Sequence, residues 1–104
     1  MAQSQKKPPG KTAKKKRIAW FVYMLECKGD RIYTGVTPDL ATRYDKHCSG
    51  KGAKFTRSFP PKRILAVKKC RTRETAQSQE YALKQLARPD KLVWAKKWQW
   101  SAPG

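Results

Sequence analysis

The chain has 104 residues, enough for a single domain. It carries 25 lysine and arginine residues against 7 aspartate and glutamate residues, a formal net charge of +18. This excess predicts attraction to a polyanion, because each neutralised phosphate of a nucleic acid releases condensed counterions. No apolar run approaches the roughly 20 residues of a spanning helix, and no signal-peptide pattern is recognisable. We therefore expect a cytoplasmic protein with a nucleic-acid partner and no membrane partner.

The three cysteines agree with that compartment. Cys27, Cys48 and Cys70 are widely spaced and odd in number, and they form no C-x-x-C pair. This pattern argues against a disulfide framework. A zinc site built from these cysteines and His47 is conceivable, but the usual ligand spacing is absent.

Residues 1–17 hold seven basic and no acidic residues. Such a segment buries too little apolar surface to offset its ordering entropy, which predicts a disordered basic arm. The arm would either add non-specific phosphate contacts or serve only as a solubilising tail or expression remnant. Removing its seven positive charges from +18 still leaves +11, so the rest of the chain is itself basic.

Aromatic and β-branched residues dominate Trp20–Cys27, which predicts a buried strand. Turn residues at 28–30 and a second strand over 31–36 complete a β-hairpin. A helix over 38–48 follows, with Thr37 as its N-cap, and then a basic and partly irregular connection over 49–63. A strand is predicted over 64–70. Two helices end the domain, one over 72–86 with Thr72 as a possible cap and one from 89 to about 98.

The order ββαβαα predicts an α+β domain over 18–100, with a small three-stranded antiparallel or mixed sheet flanked by helices. Residues 101–104 would form a C-terminal tail. Trp94 and Trp98 lie four residues apart on the last predicted helix. They would stack on bases or, as a helical aromatic stripe commonly does, pack that helix on the sheet.

The hairpin carries two short motifs at a defined spacing. Val22-Tyr23 is followed ten residues later by Tyr33-Thr34-Gly35, and this pair resembles the motifs of the GIY-YIG nucleases. The likeness continues in chain order through Leu40-Ala41-Thr42-Arg43 to His47, the loop Ser49-Gly50-Lys51-Gly52-Ala53-Lys54-Phe55-Thr56, and the pair Glu80 and Lys84, which is similar to the E-x-x-x-K helix of the small, single-domain bacterial branch.

The match covers residues 20–91, and the order and spacing of its parts are more specific than any part alone. The chain departs from the family pattern at a few positions. Phe21 and Val22 replace Gly and Ile, Thr34 replaces Ile, and Cys48 stands where the branch often has Asn. The key side chains are retained: Tyr23, Tyr33, Gly35, Arg43 and Glu80.

The resemblance implies a divalent-metal-dependent endonuclease that hydrolyses phosphodiester bonds in DNA rather than RNA, in the repair or processing of branched or nicked structures. Tyr33 would take a proton from the attacking water, with Tyr23 as helper or alternate. A metal-bound water and nearby cations would lower the pKa of a phenol from about 10. Arg43 would grip the scissile phosphate, and Glu80 would hold one Mg²⁺ or Mn²⁺ ion. His47 would assist proton transfer, bind phosphate, or only complement the helix dipole.

Further contacts to nucleic acid are implied for Gly35, Lys51, Lys54, Arg57 and Lys84. Gly35 would let the backbone approach the substrate or relieve strain at the strand end. The cationic side chains would contact phosphates, or form no more than a solvated basic surface. No small-molecule cofactor is expected, and the pattern does not determine an oligomeric state.

Each site residue also has a purely structural interpretation. Strand tyrosines commonly pack across a hairpin, and Glu80 would form an i,i+4 ion pair with Lys84. The alternative function is a non-catalytic module that binds structured RNA or ribosomes. Glu80 favours the enzyme, because an acid on a phosphate-binding face costs affinity unless a cation sits there.

Overall fold

Three strands and four helices make up residues 19–100, the part of the chain that the computed structural model describes. In chain order they are β1 (Trp20–Cys27), β2 (Arg31–Thr37), α1 (Leu40–Cys48), α2 (Lys54–Ser58), β3 (Pro61–Cys70), α3 (Arg73–Lys84) and α4 (Arg88–Lys97). The predicted α+β class is confirmed, and the sheet is antiparallel throughout. The predicted basic arm and C-terminal tail lie outside the described residues.

β1 is the central strand of the sheet, whose order is β2-β1-β3. Gly29 and Asp30 both adopt positive φ, at 79° and 57°, in the turn that leads from β1 to β2. Tight hairpin turns favour this backbone because it matches the twist of the strands that it joins. The register places Tyr23 of β1 opposite Gly35 of β2 and Val67 of β3.

Alternate side chains of β1 belong to two different apolar clusters, because successive residues of a strand point to opposite faces of the sheet. Val22 and Met24 join α3 and α4 on what we call the α3–α4 face. Tyr23 and Leu25 join α1 and α2 on the α1–α2 face. Trp94 and Trp98 also pack on the first cluster, which confirms their packing interpretation.

The outer edge of β3 is partly paired by the segment that follows α4. The backbone N–H of Val67 donates to the carbonyl of Trp98, and that of Trp100 donates to the carbonyl of Leu65, both at 3.1 Å. Ala66 forms an isolated antiparallel bridge with Gln99. Residues 98–100 therefore cover the middle of this edge.

The start of α1 differs from the prediction. Asp39 is its N-cap, because the Asp39 carboxylate accepts hydrogen bonds from the backbone N–H and the hydroxyl of Thr42. The predicted cap, Thr37, is wrong, since its hydroxyl instead accepts the N–H of Asp39 at 3.1 Å. The helix consequently begins at Leu40, two residues later than expected.

The connection between α1 and β3 is more regular than predicted. It contains α2, and β3 begins at Pro61 rather than at residue 64. Phe55 and Phe59 pack against the cluster of the α1–α2 face, and this burial holds the five-residue helix in place. Thr72 caps α3 as expected, accepting the N–H of Thr75 at 3.0 Å. Within residues 19–100, no helix is long and apolar enough to cross a bilayer.

Candidate active site

Tyr23 and Tyr33 meet on the α1–α2 face of the hairpin. Tyr23 lies opposite Gly35 and Tyr33 lies opposite Leu25, so the two tyrosines are diagonal neighbours rather than a directly facing pair. Their ring centroids are 6.2 Å apart, which is within the range of aromatic pairs. The expected meeting of the two rings across the hairpin is thus observed in a diagonal form.

Gly35 makes room for this pair. A Cβ atom at this position would lie 2.6 Å from the Tyr23 hydroxyl oxygen and 3.0 Å from Cε2 of Tyr33. Gly35 is itself buried, which leaves its backbone without the open surface that a direct contact with substrate would need. The structure therefore gives the glycine a packing role, and its contact with nucleic acid stays a prediction.

His47 is fully buried, with 0% of its surface exposed. Its Nε2 is hydrogen-bonded to the Tyr23 hydroxyl at 2.9 Å, and its Nδ1 to the Thr56 hydroxyl at 2.7 Å. Burial, assisted by the positive charge of Arg43, lowers the pKa of His47 to about 4. The ring is therefore neutral near pH 7. A buried, neutral ring does not favour binding phosphate or complementing the helix dipole, and the assistance of proton transfer by His47 stays a prediction.

The loop after α1 and the helix α2 form the cover over His47. A Cβ atom on Gly52 would lie 2.5 Å from Nδ1 of His47, so this part of the loop passes directly over the ring. Thr56 is only 1% exposed, and Phe55 contacts Tyr33 with ring centroids 5.7 Å apart. Sequence reasoning assigned no role to Gly52 or Thr56, although both lie in the loop segment that resembles the family.

Burial also sets the protonation of Tyr23. Desolvation and the neighbouring Tyr33 raise the pKa of Tyr23 to about 12, although the Arg43 guanidinium opposes this shift. The Arg43 guanidinium acts in the expected direction at Tyr23, but burial outweighs it. The expected lowering of a tyrosine pKa by a metal-bound water together with cations stays a prediction.

Arg43 projects from α1 towards both hydroxyls. Burial lowers the pKa of Arg43, but the contacts with Tyr23 and Tyr33 outweigh that effect and raise it. The guanidinium is half-buried and stays cationic. A planar cation held beside two hydroxyls presents donors to any phosphate that reaches them.

Glu80 is a half-buried carboxylate on α3, and its side chain is 22% exposed. Its charge is the smallest of the causes that act on the pKa of Tyr23, and α3 itself packs on the α3–α4 face, across the sheet from the tyrosine pair. Its Oε2 lies 3.2 Å from Nζ of Lys84, so the predicted i,i+4 ion pair is present. A contact of Lys84 with nucleic acid stays a prediction.

The donors near Glu80 suit a hard divalent cation. Among residues 19–100, no three His, Cys, Asp or Glu side chains are grouped to hold a metal. Mg²⁺ commonly keeps several waters and takes one or two carboxylates together with substrate phosphate oxygens. The single carboxylate of Glu80 fits the protein's share of such a site. The cysteines do not fit a site for a hard divalent cation, since Cys27 and Cys70 are buried and Cys27, Cys48 and Cys70 are all free thiols.

A basic surface adjoins the cover over His47. Lys51 precedes α2, and Lys54 and Arg57 lie on it, all three exposed. These residues flank the buried Thr56 in sequence and are accessible to a polyanion. Their contacts with nucleic acid stay predictions.

Residues 19–93 match the family model described as the GIY-YIG catalytic domain. The chain belongs to the GIY-YIG family, and the resemblance stated from its motifs is confirmed. This family indicates a nuclease, and its nucleases are in general dependent on divalent metals.

The relatives that the chain resembles carry the name UPF0213. One from Cupriavidus necator is 48% identical over 73 residues, which span 70% of this chain and 79% of the relative. One from Cupriavidus pinatubonensis is 41% identical over 78 residues, 75% of this chain and 87% of the relative. The solution NMR structure of a UPF0213 protein from Bacillus halodurans is 42% identical, with a TM-score of 0.50, and the match covers 76% of this chain and 84% of that one.

Proposed function

We propose that the protein is a divalent-metal-dependent endonuclease that hydrolyses phosphodiester bonds in DNA. The observation that carries the proposal is the position of Arg43, a half-buried cation beside the hydroxyls of Tyr23 and Tyr33. The charge of Glu80 also contributes to the raised pKa of Tyr23. The group combines a phosphate-binding cation, proton-transferring hydroxyls and a carboxylate.

Arg43 binds the scissile phosphate through its fork of N–H donors and stabilises the negative charge that develops on it. Tyr33 is the general base that takes the proton of the attacking water. Tyr23 is less suited to that role, because its pKa of about 12 opposes ionisation and its hydroxyl is already hydrogen-bonded to His47.

Glu80 is the residue that would hold the metal ion, with water and phosphate oxygens as the remaining ligands. A Mg²⁺ or Mn²⁺ ion bound there would supply charge stabilisation to the leaving oxygen. A metal ion held by Glu80 would compete with the ion pair that this carboxylate forms with Lys84.

The exposed cations of the α2 region support DNA backbone binding. Lys51, Lys54 and Arg57 suit contacts to phosphates, which position a nucleic acid but carry no sequence information. We therefore propose that the enzyme selects DNA by form, such as a nick or a branch, in its processing or repair.

The test compares wild type with Glu80→Gln and Tyr33→Phe on nicked, branched and single-stranded DNA, with Mg²⁺, Mn²⁺ or EDTA. We expect metal-dependent cleavage by wild type and a loss of about 100-fold or more in Tyr33→Phe, the scale of a lost general base. Glu80→Gln should lose the metal-dependent cleavage, because it removes the carboxylate that would hold the ion. DNA binding should persist. Glu74→Gln, the same charge change in the first turn of α3, and Tyr81→Phe, the same change at a 71% exposed tyrosine, are the matched controls.

Undiminished cleavage by Glu80→Gln or Tyr33→Phe would remove these residue roles. A wild-type protein that binds nucleic acid in a salt-dependent way, but neither cleaves it nor binds a divalent metal in calorimetry, would be the non-catalytic module.

A further inference from the structure

A chain of hydrogen bonds runs from the tyrosine pair to the backbone of the loop that covers it. The Tyr23 hydroxyl contacts His47 at 2.9 Å, and His47 contacts the Thr56 hydroxyl at 2.7 Å. The Thr56 hydroxyl in turn donates to the carbonyl oxygen of Ala53 at 3.0 Å. Tyr23, His47 and Thr56 are all at most 1% exposed, so bulk water does not compete for these bonds.

The carbonyl oxygen of Ala53, the last acceptor, favours one direction of donation along these hydrogen bonds. A carbonyl oxygen accepts and cannot donate, so the 3.0 Å contact with Ala53 is a hydrogen bond only when the Thr56 proton points to it. In that arrangement the Thr56 oxygen accepts from His47, and the ring proton lies on Nδ1. Since a neutral imidazole carries one N–H, its Nε2 is left as an acceptor, and the Tyr23 hydroxyl donates to it.

The surroundings of the Tyr23 hydroxyl agree with this direction of donation. Arg43 lies beside the Tyr23 hydroxyl, and a guanidinium offers donors only. If the ring carried its proton on Nε2, that N–H would donate to Tyr23, and the Tyr23 proton would be turned towards the donors of Arg43. With the proton on Nδ1, the Tyr23 oxygen instead presents its lone pairs to Arg43.

We infer that Thr56 is a positioning residue that selects the Nδ1–H tautomer of His47 and thereby orients the Tyr23 hydroxyl as an acceptor for Arg43. The effect on cleavage rests on the proposed nuclease function, whereas the tautomer is a property of the folded chain. Thr56 touches neither substrate nor metal in this role, and acts through His47 and Tyr23. The arrangement follows the general rule that the partner of one ring nitrogen sets the tautomer seen by the other.

The chain has one histidine, so its two ring nitrogens give an unambiguous NMR signal in the uniformly ¹⁵N-labelled full-length protein. We expect long-range ¹H–¹⁵N correlation spectra at pH 7 to show a protonated Nδ1 and an unprotonated Nε2. Thr56→Val keeps the shape of the side chain but removes the hydroxyl, and should shift the ring to the Nε2–H form or to a mixture. Thr56→Ser keeps the hydroxyl and should retain the wild-type tautomer.

Cleavage supplies the second readout. Thr56→Val should lower kcat on the order of tenfold, the scale of a slightly misplaced catalytic group, and Thr56→Ser should restore most of it. An Nε2–H tautomer in wild type, or an unchanged tautomer in folded Thr56→Val, would overturn the inference whether or not the protein cleaves DNA. A tautomer shift with unchanged kcat would overturn the positioning role.

Two further outcomes keep the proposals separate. If Thr56→Val fails to fold, Thr56→Ala is the second variant without the hydroxyl and should also lose the Nδ1–H form, and an unchanged tautomer in it would overturn the inference. If wild type shows the Nδ1–H form but cleaves no substrate, the proposed nuclease function fails while the assignment of the tautomer to Thr56 stands.

Discussion

A side chain on Gly35 and the hydroxyl of Tyr23 would occupy the same space, since a Cβ atom there would lie 2.6 Å from the Tyr23 oxygen. The Tyr23 hydroxyl cannot readily move aside, because it is buried and hydrogen-bonded to His47. The position of the Tyr23 hydroxyl therefore explains why residue 35 is a glycine.

Gly35→Ala is expected to lower the free energy of unfolding by about 1–3 kcal/mol, the usual cost of overpacking a tight core. It should also reduce cleavage, because Tyr23 must move away from His47. Urea denaturation measures the stability change. In a Tyr23→Phe background the clash with the hydroxyl at 2.6 Å is gone while the one with Cζ at 2.8 Å stays, so the cost of Gly35→Ala should be partly relieved there. Strictly additive costs would show that the two positions are not coupled.

His47 should make stability dependent on pH. Its pKa is about 4 in the fold and 6.5 ordinarily, so between these values the unfolded chain binds a proton that the folded chain does not. The free energy of unfolding should therefore rise as pH increases from about 4 to 6.5, by about 3 kcal/mol in total. Urea titrations from pH 5 to 7 avoid most carboxylate titration, and His47→Gln should flatten the curve. An equal slope in both proteins would contradict the prediction.

Thr34→Val should stabilise the protein. Thr34 is 4% exposed, and its hydroxyl oxygen finds no hydrogen-bond partner within residues 19–100. Removing a buried hydroxyl without a partner, at constant side-chain shape, should raise the free energy of unfolding by about 1 kcal/mol. Thr37→Val is the matched control, because the Thr37 hydroxyl accepts the N–H of Asp39, and it should destabilise. A loss of stability in Thr34→Val would mean that its hydroxyl is satisfied.

Lys84 competes with a cation for Glu80, because its Nζ lies 3.2 Å from Oε2. Lys84→Met should therefore tighten Mn²⁺ binding about fivefold, since a unit charge about 4 Å away contributes roughly 1 kcal/mol in water. The cost in stability should be only a few tenths of a kcal/mol, as for other exposed pairs. Calorimetric titration of the metal checks the affinity. Lys97→Met, which removes the same charge from α4, should leave it unchanged, and an unchanged affinity in Lys84→Met would argue against Glu80 as the ligand.

The basic surface at α2 should appear in the salt dependence of DNA binding. Lys54→Ala is expected to reduce the slope of log K against log salt by about 0.9, the value for one phosphate contact on duplex DNA. Lys96→Ala removes an equal charge from α4, on the α3–α4 face of the sheet, and should leave the slope unchanged. Equal effects of the two substitutions would indicate that binding responds to net charge and not to this surface.

Local sequence was enough to predict most of the fold, because apolar pattern and turn residues are local properties. It failed where two neighbouring residues compete for one role, as Thr37 and Asp39 do at the start of α1. It also failed for α2, a helix too short to be stable alone, which is held by the packing of Phe55 and Phe59 on a distant part of the chain.

The site shows the same division. The resemblance of the motifs to the family predicts that Tyr23, Tyr33, Arg43 and Glu80 act together. The fold brings Tyr23, Tyr33 and Arg43 together, and the role of Glu80 stays a prediction. The neutral state of His47 followed from burial, which no local pattern reports. Its partner Thr56 was equally hidden, since the bond between them depends on how the loop folds back over α1.

The edge of β3 has a consequence for how copies of the protein meet. Its middle is already paired by residues 98–100, and charged side chains flank that middle on both sides. These are Lys62, Arg63, Lys68 and Lys69. Two sheets approaching edge to edge would bring like charges together and would find few backbone groups free to pair, which is how native proteins discourage aggregation through strand edges. The lysines that attract a polyanion thus also help to keep a concentrated solution of this protein from joining its sheets into fibres.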